Sequence, residues 1–319
     1  LTLIAQIAAS FGALLLGAWL FTNTVEWIGY RFKLPSGFTG SFIAAVATAL
    51  PETLVPIVAI VSGYREGVAI GAILGAPLML STVAMGIGGL SVLAAYLMGR
   101  RRRPVIETSH FSLDVRHFLV AYSLVLAVSL VDFKPAHFTV AAVLFLLYLA
   151  YVRQLLRAGD VVERPSIKFE MAHPVLAGLL AAVFLVGSVA LLVVGAHGFA
   201  DAVERLAERL GADPFTVSCL LAPVATELPE KLNSVIWYLK GRDDLALGNV
   251  TGAIVFQATF PVAVGLLFTS WRLGSRELVT ITVPLAAMTL LYFYGRSNEL
   301  DWKVMSMVAV LYPVPFVFT

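Results

Sequence analysis

The chain has 319 residues, 59% of them hydrophobic and 13% charged, with a mean hydropathy of +0.89 and a net charge of +2. Soluble domains carry about 25% charged residues, so this composition excludes one and indicates a polytopic membrane protein; so small a net charge gives nucleic acid no hold. The single cysteine, Cys219, rules out an intramolecular disulfide and a cysteine-cluster metal site.

A hydrocarbon core about 30 Å thick takes roughly 20 apolar residues per helix. Apolar runs between polar punctuation predict ten spans: 3–30, 38–62, 66–98, 115–132 and 136–157, then 173–209, 213–239, 243–271, 276–294 and 301–318. The first has neither the basic flank nor the cleavage site of a secretory signal. Several runs exceed 25 residues, which implies tilt, kinks or ends projecting into water. The run 66–98 contains Gly86, Gly88 and Gly89 and is expected as one helix, because its counterpart at 243–271 is too short to divide. The segment 158–172, short and of mixed charge, is the expected connection between two halves of five spans.

One phrase occurs in both halves: VATALPE at 46–52 and VATELPE at 224–230, with six letters of seven shared at an offset of 178. The same offset pairs Gly17 with Gly195, Asn23 with Asp201, Glu26 with Glu204 and Gly63 with Gly241. After one extra residue in the first half, Gly71 and Gly75 pair with Gly248 and Gly252. The chain is therefore an internal repeat. Each half holds an odd number of spans, so the second enters the membrane from the opposite side. Inverted five-helix repeats at 1–157 and 173–319 match the plan of secondary transporters, whose site lies near the midplane between repeats. Fifteen Lys and Arg, among them Arg31, Arg100–Arg103, Arg153 and Arg242, fall on one side; six, among them Arg65, Lys134 and Arg272, fall on the other. The basic side is expected in the cytoplasm, with the connecting loop there and both termini outside a plasma membrane.

Each copy of the phrase sets a carboxylate beside a proline inside an apolar run. A carboxylate near mid-bilayer is costly and usually faces a cavity where it does work. The bland reading, a glutamate neutralised by one partner such as Lys231, is weakened by the recurrence of Glu52 and Glu230 at equivalent depths. Pro51 and Pro229 lack an N–H, so the carbonyls of Ala47 and Ala225 lose their helical partners. In lipid that is tolerated only where protein, water or a ligand satisfies them. Thr48 and Thr226, four residues before the glutamates, share their face and either add ligands or bond back to the preceding turn; their recurrence favours ligation. Carboxylate and carbonyl oxygens are hard ligands of the kind Ca²⁺ takes, and these spans lack the thiolates and imidazoles that zinc or copper prefers.

Glu227 lies three residues before Glu230, on the same helix face. Two carboxylates in a poorly hydrated site favour holding a proton, as a proton carrier would; pairing with Lys231, its i+4 neighbour, is the structural alternative, and both stand. Lys231, next to Glu230, is expected to point about 100° away from it around the helix. Gln257 and Asn249 are expected to ligate, gate or line the pathway.

These phrases resemble the alpha repeats of the calcium/cation antiporter superfamily, which includes the sodium/calcium exchangers, with G-T-S-L-P-E on one helix and G-N-x-x-G-S on the next. The second half carries Ala225-Thr226-Glu227-Leu228-Pro229-Glu230 and then Gly248-Asn249-Val250-Thr251-Gly252-Ala253. The first carries Ala47-Thr48-Ala49-Leu50-Pro51-Glu52 and then Gly71-Ala72-Ile73-Leu74-Gly75-Ala76. The resemblance is strongest over about 38–82 and 213–260. It implies an all-α membrane protein of ten helices in two inverted repeats, with the first and sixth sliding across the others. Calcium would be bound by Glu52 and Glu230 beside Thr48 and Thr226, and sodium at further polar positions. The chain departs from the pattern at Ala49, Glu227, Ala76 and Ala253, where serines are expected, and at Leu80, typically Asn or Asp, whose mate is Gln257. Several sodium-site side chains are thereby missing, which with Glu227 raises H⁺ beside Na⁺ as the exchanged ion. The expectation is an antiporter rather than an enzyme, moving Ca²⁺ against Na⁺ or H⁺ as a monomer in the bilayer, with no tightly bound cofactor. The alternatives are proton-coupled exchange of Mg²⁺ or Mn²⁺ and a passive cation channel. An intramembrane hydrolase would need a nucleophile–base pair that the phrase does not supply.

Overall fold

The computed structural model describes residues 2–31, 44–107, 111–158, 174–295 and 299–317. The first half runs α1 (Leu3–Arg31), α2 (Ala44–Val61), α3 (Glu66–Met79), α4 (Met85–Leu97), β1 (Val105–Glu107), α5 (Phe111–Ser129) and α6 (Lys134–Ala158). The second runs α7 (Pro174–Leu210), α8 (Pro214–Thr226), α9 (Leu228–Leu239), α10 (Asp243–Gln257), α11 (Phe260–Phe268), α12 (Ser275–Tyr294), β2 (Glu299–Asp301), α13 (Trp302–Met307) and α14 (Val314–Val317). The expected connecting segment 158–172 falls, beyond Ala158, outside the described residues, as do 38–43 of the second predicted span.

The protein is a multi-pass helical membrane protein. Among the described residues seven helical stretches are long and apolar enough to cross a bilayer, accompanied by shorter apolar helices at Glu52–Val61, Pro214–Thr226 and Trp302–Val317. Burial sorts them into centre and flank. The apolar window of Glu66–Leu97 is 94% buried and that of Asp243–Phe268 is 72% buried, against 22% for Leu3–Phe21 and 28% for Gly178–Leu210. A run buried on all faces belongs in the middle of a bundle, whereas α1 and α7 leave apolar side chains such as Leu16, Val186 and Val194 exposed to the hydrocarbon.

α1 and α7 cross through reciprocal contacts. A Cβ on Gly17 would stand 2.9 Å from Leu192, and one on Gly195 would stand 2.9 Å from Leu14. Position 14 stands to 192 as 17 stands to 195, so each helix offers the other the same glycine and the same leucine. The order of these contacts makes the helices antiparallel. α3 lies instead parallel to α8: Gly67, Gly71 and Gly75 meet, in turn, Phe215, the Phe215–Cys219 backbone and the Cys219–Pro223 turn.

Side-chain pairs tie the connections into two groups. Arg65 pairs with Glu204 and Glu208, Asp132 with Arg272, and Asp213 with Arg276, while Glu66 accepts from the Ser270 N–H. Arg101 pairs with Asp243 and donates to the Tyr238 carbonyl, Arg103 pairs with Glu299, and β1 pairs antiparallel with β2 through Ile106 and Leu300. Glu66–Leu97 is a 32-residue helical stretch, about 48 Å long at 1.5 Å per residue, and it carries the chain from the first group to the second. Gly63 and Gly241 close α2 and α9 at φ +73 and +74, the left-handed conformation that glycine adopts without cost. One belongs to each group.

The run 66–98 is continuous as expected, but its glycines serve packing: a Cβ on Gly86 would meet Ala309 at 2.6 Å and one on Gly89 the Trp302 carbonyl at 2.6 Å. The interruption falls earlier, in a π-helical turn at Leu80–Ala84. The predicted single spans 213–239 and 243–271 are each two helices, broken at Glu227 and at Ala258–Thr259. α5 begins at Phe111 rather than 115, because Asp114 is an interior residue of its first turns rather than polar punctuation. The β1–β2 ribbon was not anticipated; its two strands of three residues leave little periodicity to read.

Candidate functional site

The second copy of the phrase breaks the helix. α8 ends at Thr226, Glu227 takes φ −93 and ψ −36, and α9 restarts with Pro229 in its first turn. Pro229 has no N–H to offer the Ala225 carbonyl, and proline is best tolerated where a helix begins. The break is narrow: the Glu227 N–H still reaches the Pro223 carbonyl at 2.9 Å, and the Lys231 N–H reaches the Glu227 carbonyl at 3.1 Å. Ala225 and Thr226 are buried, and the Thr226 hydroxyl donates back to the Ala222 carbonyl at 3.1 Å. That spends its proton on the preceding turn and leaves its oxygen lone pairs as acceptors.

A buried polar network spreads from this break. Gln257 Nε2 donates to Glu227 Oε1 at 2.6 Å, and Lys231 Nζ stands 3.6 Å from Glu227 Oε2. Lys231 Nζ also donates to the Asn249 carbonyl at 3.0 Å, and Asn249 Nδ2 donates to Ser234 Oγ at 2.8 Å. Glu227, Gln257, Lys231 and Ser234 are all buried. The structure thus unites Glu227, Gln257 and Asn249, the three expected pathway residues, and adds Lys231 and Ser234. Lys231 does turn away from the phrase's own glutamate position as the helix dictates, and the turn carries it onto Glu227, one helical turn earlier. The carboxylate–ammonium pair is therefore present, and it sits inside a hydrogen-bonded group rather than alone.

The first copy is built differently. α2 continues through Pro51 without an assigned interruption; the helix tolerates the one hydrogen bond that proline removes. Glu52 and Thr53 are buried on it. The backbones of Ala47, Thr48 and Glu230 are helical, but their side chains lie outside the described residues, as does that of Glu26. Asn23 is buried and donates to the Trp19 carbonyl; its repeat mate Asp201 accepts from Gln6 and pairs with Arg205.

The next helices are irregular at equivalent places. The π turn opens at Leu80, and α10 ends at its mate Gln257. Two residues on, Thr82 and Thr259 are buried and each hydroxyl bonds the carbonyl four residues back, at Leu78 and Val255. These threonines were legible, since the offset that aligns Gly71 with Gly248 aligns them too. π turns inside α-helices concentrate at functional sites. The matched glycines diverge, however. Gly71 and Gly75 are pressed against α8, whereas Gly248 has no atom within 4 Å of its Cβ position among the described residues, and Gly252 meets only the Tyr151 hydroxyl at 3.5 Å.

A further buried carboxylate was missed. Asp114 accepts from the Tyr151 hydroxyl at 3.0 Å and from Thr251 Oγ1, joining α5, α6 and α10. Its place at the head of a span disguised it as a loop residue. Among the described residues the buried carboxylates are Glu52, Asp114 and Glu227, and the buried ammonium is Lys231. No cluster of three or more His, Cys, Asp or Glu side chains occurs among them.

Relatives share this architecture. The chain is 27% identical over 274 residues to CaxA of Alkalimonas amylolytica, described as a candidate antiporter, covering 83% of this chain and 81% of that one. The fold matches the crystal structure of the H⁺/Ca²⁺ exchanger CAX with a TM-score of 0.79 at 18% identity, over 99% of this chain and 82% of that one. It matches the sodium-calcium exchanger NCX_Mj with a TM-score of 0.60 at 21% identity, over 99% and 98%. The sequence model described as "Sodium/calcium exchanger protein" matches residues 2–156 and 180–319, which include both phrases and nearly all the helices described above. The chain belongs to the sodium/calcium exchanger family, within the calcium/cation antiporter superfamily.

Proposed function

We propose that the protein is a secondary antiporter that exchanges Ca²⁺ for a monovalent cation, Na⁺ or H⁺, by alternating access. It is read as ten membrane helices in two inverted five-helix repeats, 1–157 and 173–319, joined by a cytoplasmic segment at 158–172. The reciprocal Gly17–Leu192 and Gly195–Leu14 contacts support the inversion, as does the placing of the Gly63 and Gly241 helix ends in opposite groups of connections. The basic loop Arg100–Arg103 marks the cytoplasmic end.

In this reading Glu52 and Glu230, with the oxygens of Thr48 and Thr226 and the carbonyls of Ala47 and Ala225, hold the divalent ion as substrate. Glu227, Gln257 and Asn249 form the side of the site that the counter-ion senses. The observation that carries the proposal is the helix break at Glu227, where a buried carboxylate meets a buried amide and a buried ammonium. Such groups are retained in lipid where a cation or water balances them. An ion that neutralises the site favours closure over it and reopening on the other side; the uncompensated site resists that change.

Inside-out vesicles supplied with labelled external Ca²⁺ test the reading. Uptake should follow an imposed Na⁺ or H⁺ gradient and be lost in Glu52→Gln and in Glu230→Gln. Uptake indifferent to both gradients, or intact in both variants, would refute antiport. Flux without counter-transport would instead select the channel alternative, and competition by Mg²⁺ or Mn²⁺ would redefine the substrate.

A further inference from the structure

We infer that Lys231 is a tethered cation: its ammonium occupies the Glu227–Asn249 side of the site and supplies a positive charge that a monovalent ion would otherwise have to bring. The inference rests on the exchanger reading above and deepens it.

The geometry is that of an occupied cation site. Lys231 Nζ lies 3.0 Å from the Asn249 carbonyl oxygen and 3.6 Å from the Glu227 carboxylate, buried from solvent. A carboxylate and a backbone carbonyl are the hard oxygens a small monovalent cation would seek, and here an ammonium already holds them. Gln257 fixes the other Glu227 oxygen at 2.6 Å, and Ser234 fixes the Asn249 amide at 2.8 Å, so both acceptors are themselves oriented. The tether is short because Glu227 and Lys231 are i and i+4 on one helical face. The ammonium can withdraw from the carboxylate but cannot leave the site.

The repeat isolates the same pair. At the offset that aligns the phrases, Glu227 replaces Ala49 and Lys231 replaces Thr53. One half has gained an acid and a base together, which changes the local chemistry while leaving residues 46–53 and 224–231 with the same net charge. A buried ion pair adds little to stability compared with apolar residues of the same shape. Its position at the helix break, bonded to both α9 and α10, accounts for it better. The ammonium acts by occupancy and Coulomb attraction. A monovalent ion entering this side must therefore displace a partner at very high effective concentration. Removing the ammonium while leaving Glu227 should expose a monovalent-cation site.

The test uses the full chain in detergent and in liposomes, with Lys231→Gln, Lys231→Thr (the residue of the first copy) and Lys231→Arg. Thermal unfolding is followed in NaCl against choline chloride at constant ionic strength, and Ca²⁺ exchange against an Na⁺ titration. The neutral variants should gain Na⁺-specific stabilisation that wild type lacks. Half-maximal inhibition of Ca²⁺ exchange should move to Na⁺ concentrations at least about tenfold lower, since a close charge pair is worth more than that factor even at an effective dielectric of 20. Lys231→Arg, which keeps a positive charge at this position, should gain no Na⁺-specific stabilisation. Neutral variants that fold but show no Na⁺-specific stabilisation, or that fold at no NaCl concentration, overturn the inference. Absence of Ca²⁺-dependent stabilisation in wild type counts separately, against the exchanger reading itself.

Discussion

Repeat-equivalent glycines offer a controlled comparison, because the sequence treats Gly71 and Gly75 like Gly248 and Gly252 while the structure does not. A Cβ on Gly75 would lie 2.5 Å from the Cys219 carbonyl oxygen and 2.9 Å from its Cα; one on Gly71 would lie 2.4 Å from the Phe215 oxygen. A carbon–oxygen contact needs about 3.3 Å, so either alanine forces α3 and α8 apart by most of an ångström along backbone that cannot rotate away. Overpacking of that kind costs about 1–3 kcal/mol, partly offset by the helix-propensity gain of about 1 kcal/mol for Gly→Ala. At Gly248 only the gain applies among the described residues, so Gly248→Ala should be neutral or up to about 1 kcal/mol more stable. The assay is unfolding of each purified variant in detergent, with Ca²⁺ exchange measured in parallel. Gly71→Ala and Gly75→Ala as stable as Gly248→Ala would refute the close parallel packing of α3 on α8.

Four further outcomes follow from the same contacts. Glu227→Gln strands the buried Lys231 ammonium and should cost about 3–5 kcal/mol, much of it restored in Glu227→Gln/Lys231→Met; equal stability of the single and double variants in a denaturant titration would break the pairing. Arg101→Ala removes a half-buried pair with Asp243 and a bond to the Tyr238 carbonyl and should cost about 3 kcal/mol, whereas Arg103→Ala removes an exposed pair with Glu299 and should cost no more than about 1 kcal/mol; the two unfolding midpoints decide. Asp114→Leu leaves the buried Tyr151 hydroxyl without this acceptor, at about 1–3 kcal/mol, and adding Tyr151→Phe should recover part of that loss in the same titration. Gln257→Leu cuts the link between Glu227 and the end of α10, so Ca²⁺ should alter amide hydrogen exchange across 255–262 in wild type and much less in the variant; identical responses would remove Gln257 from the coupling.

The repeat was legible because it is written in local chemistry. Gly17 and Gly195 mark the α1–α7 crossing, and Gly63 and Gly241 mark helix ends, since a missing side chain and a left-handed turn are properties of single residues. What a glycine packs against is a property of the fold, so nothing in the two GxxxG spacings distinguishes the pressed pair on α3 from the open pair on α10. The break at Pro229 was legible and the continuity at Pro51 was not, because one lost hydrogen bond leaves both outcomes open. At the candidate site, spacing alone brought Glu227 within reach of Lys231. The Asn249 carbonyl and the Gln257 amide, 18 and 30 residues away, required tertiary structure. Asp114 was hidden by rule: a charge at the edge of an apolar run reads as water-facing unless its partners are known.

The halves place their irregularities at the same points and build them from different parts. In the first, α2 passes through Pro51 intact and the following helix absorbs its defect in the π turn at Leu80–Ala84, which keeps the chain helical throughout. In the second, the chain stops being helical at Glu227 and again after Gln257. Those two breaks are joined directly, by the amide of Gln257 on the carboxylate of Glu227. Helix breaks are where small changes in dihedral angle re-aim whole segments, and both breaks of this half are narrow, each bridged by backbone hydrogen bonds on either side. Under the exchanger reading, then, a cation that draws on Glu227 bears on both breaks of one half through a single contact, and Lys231 sets the threshold it must overcome. The coupling would be lopsided even though the two phrases are nearly identical, because the second half joins its two breaks through a carboxylate and an amide where the first has Ala49 and Leu80.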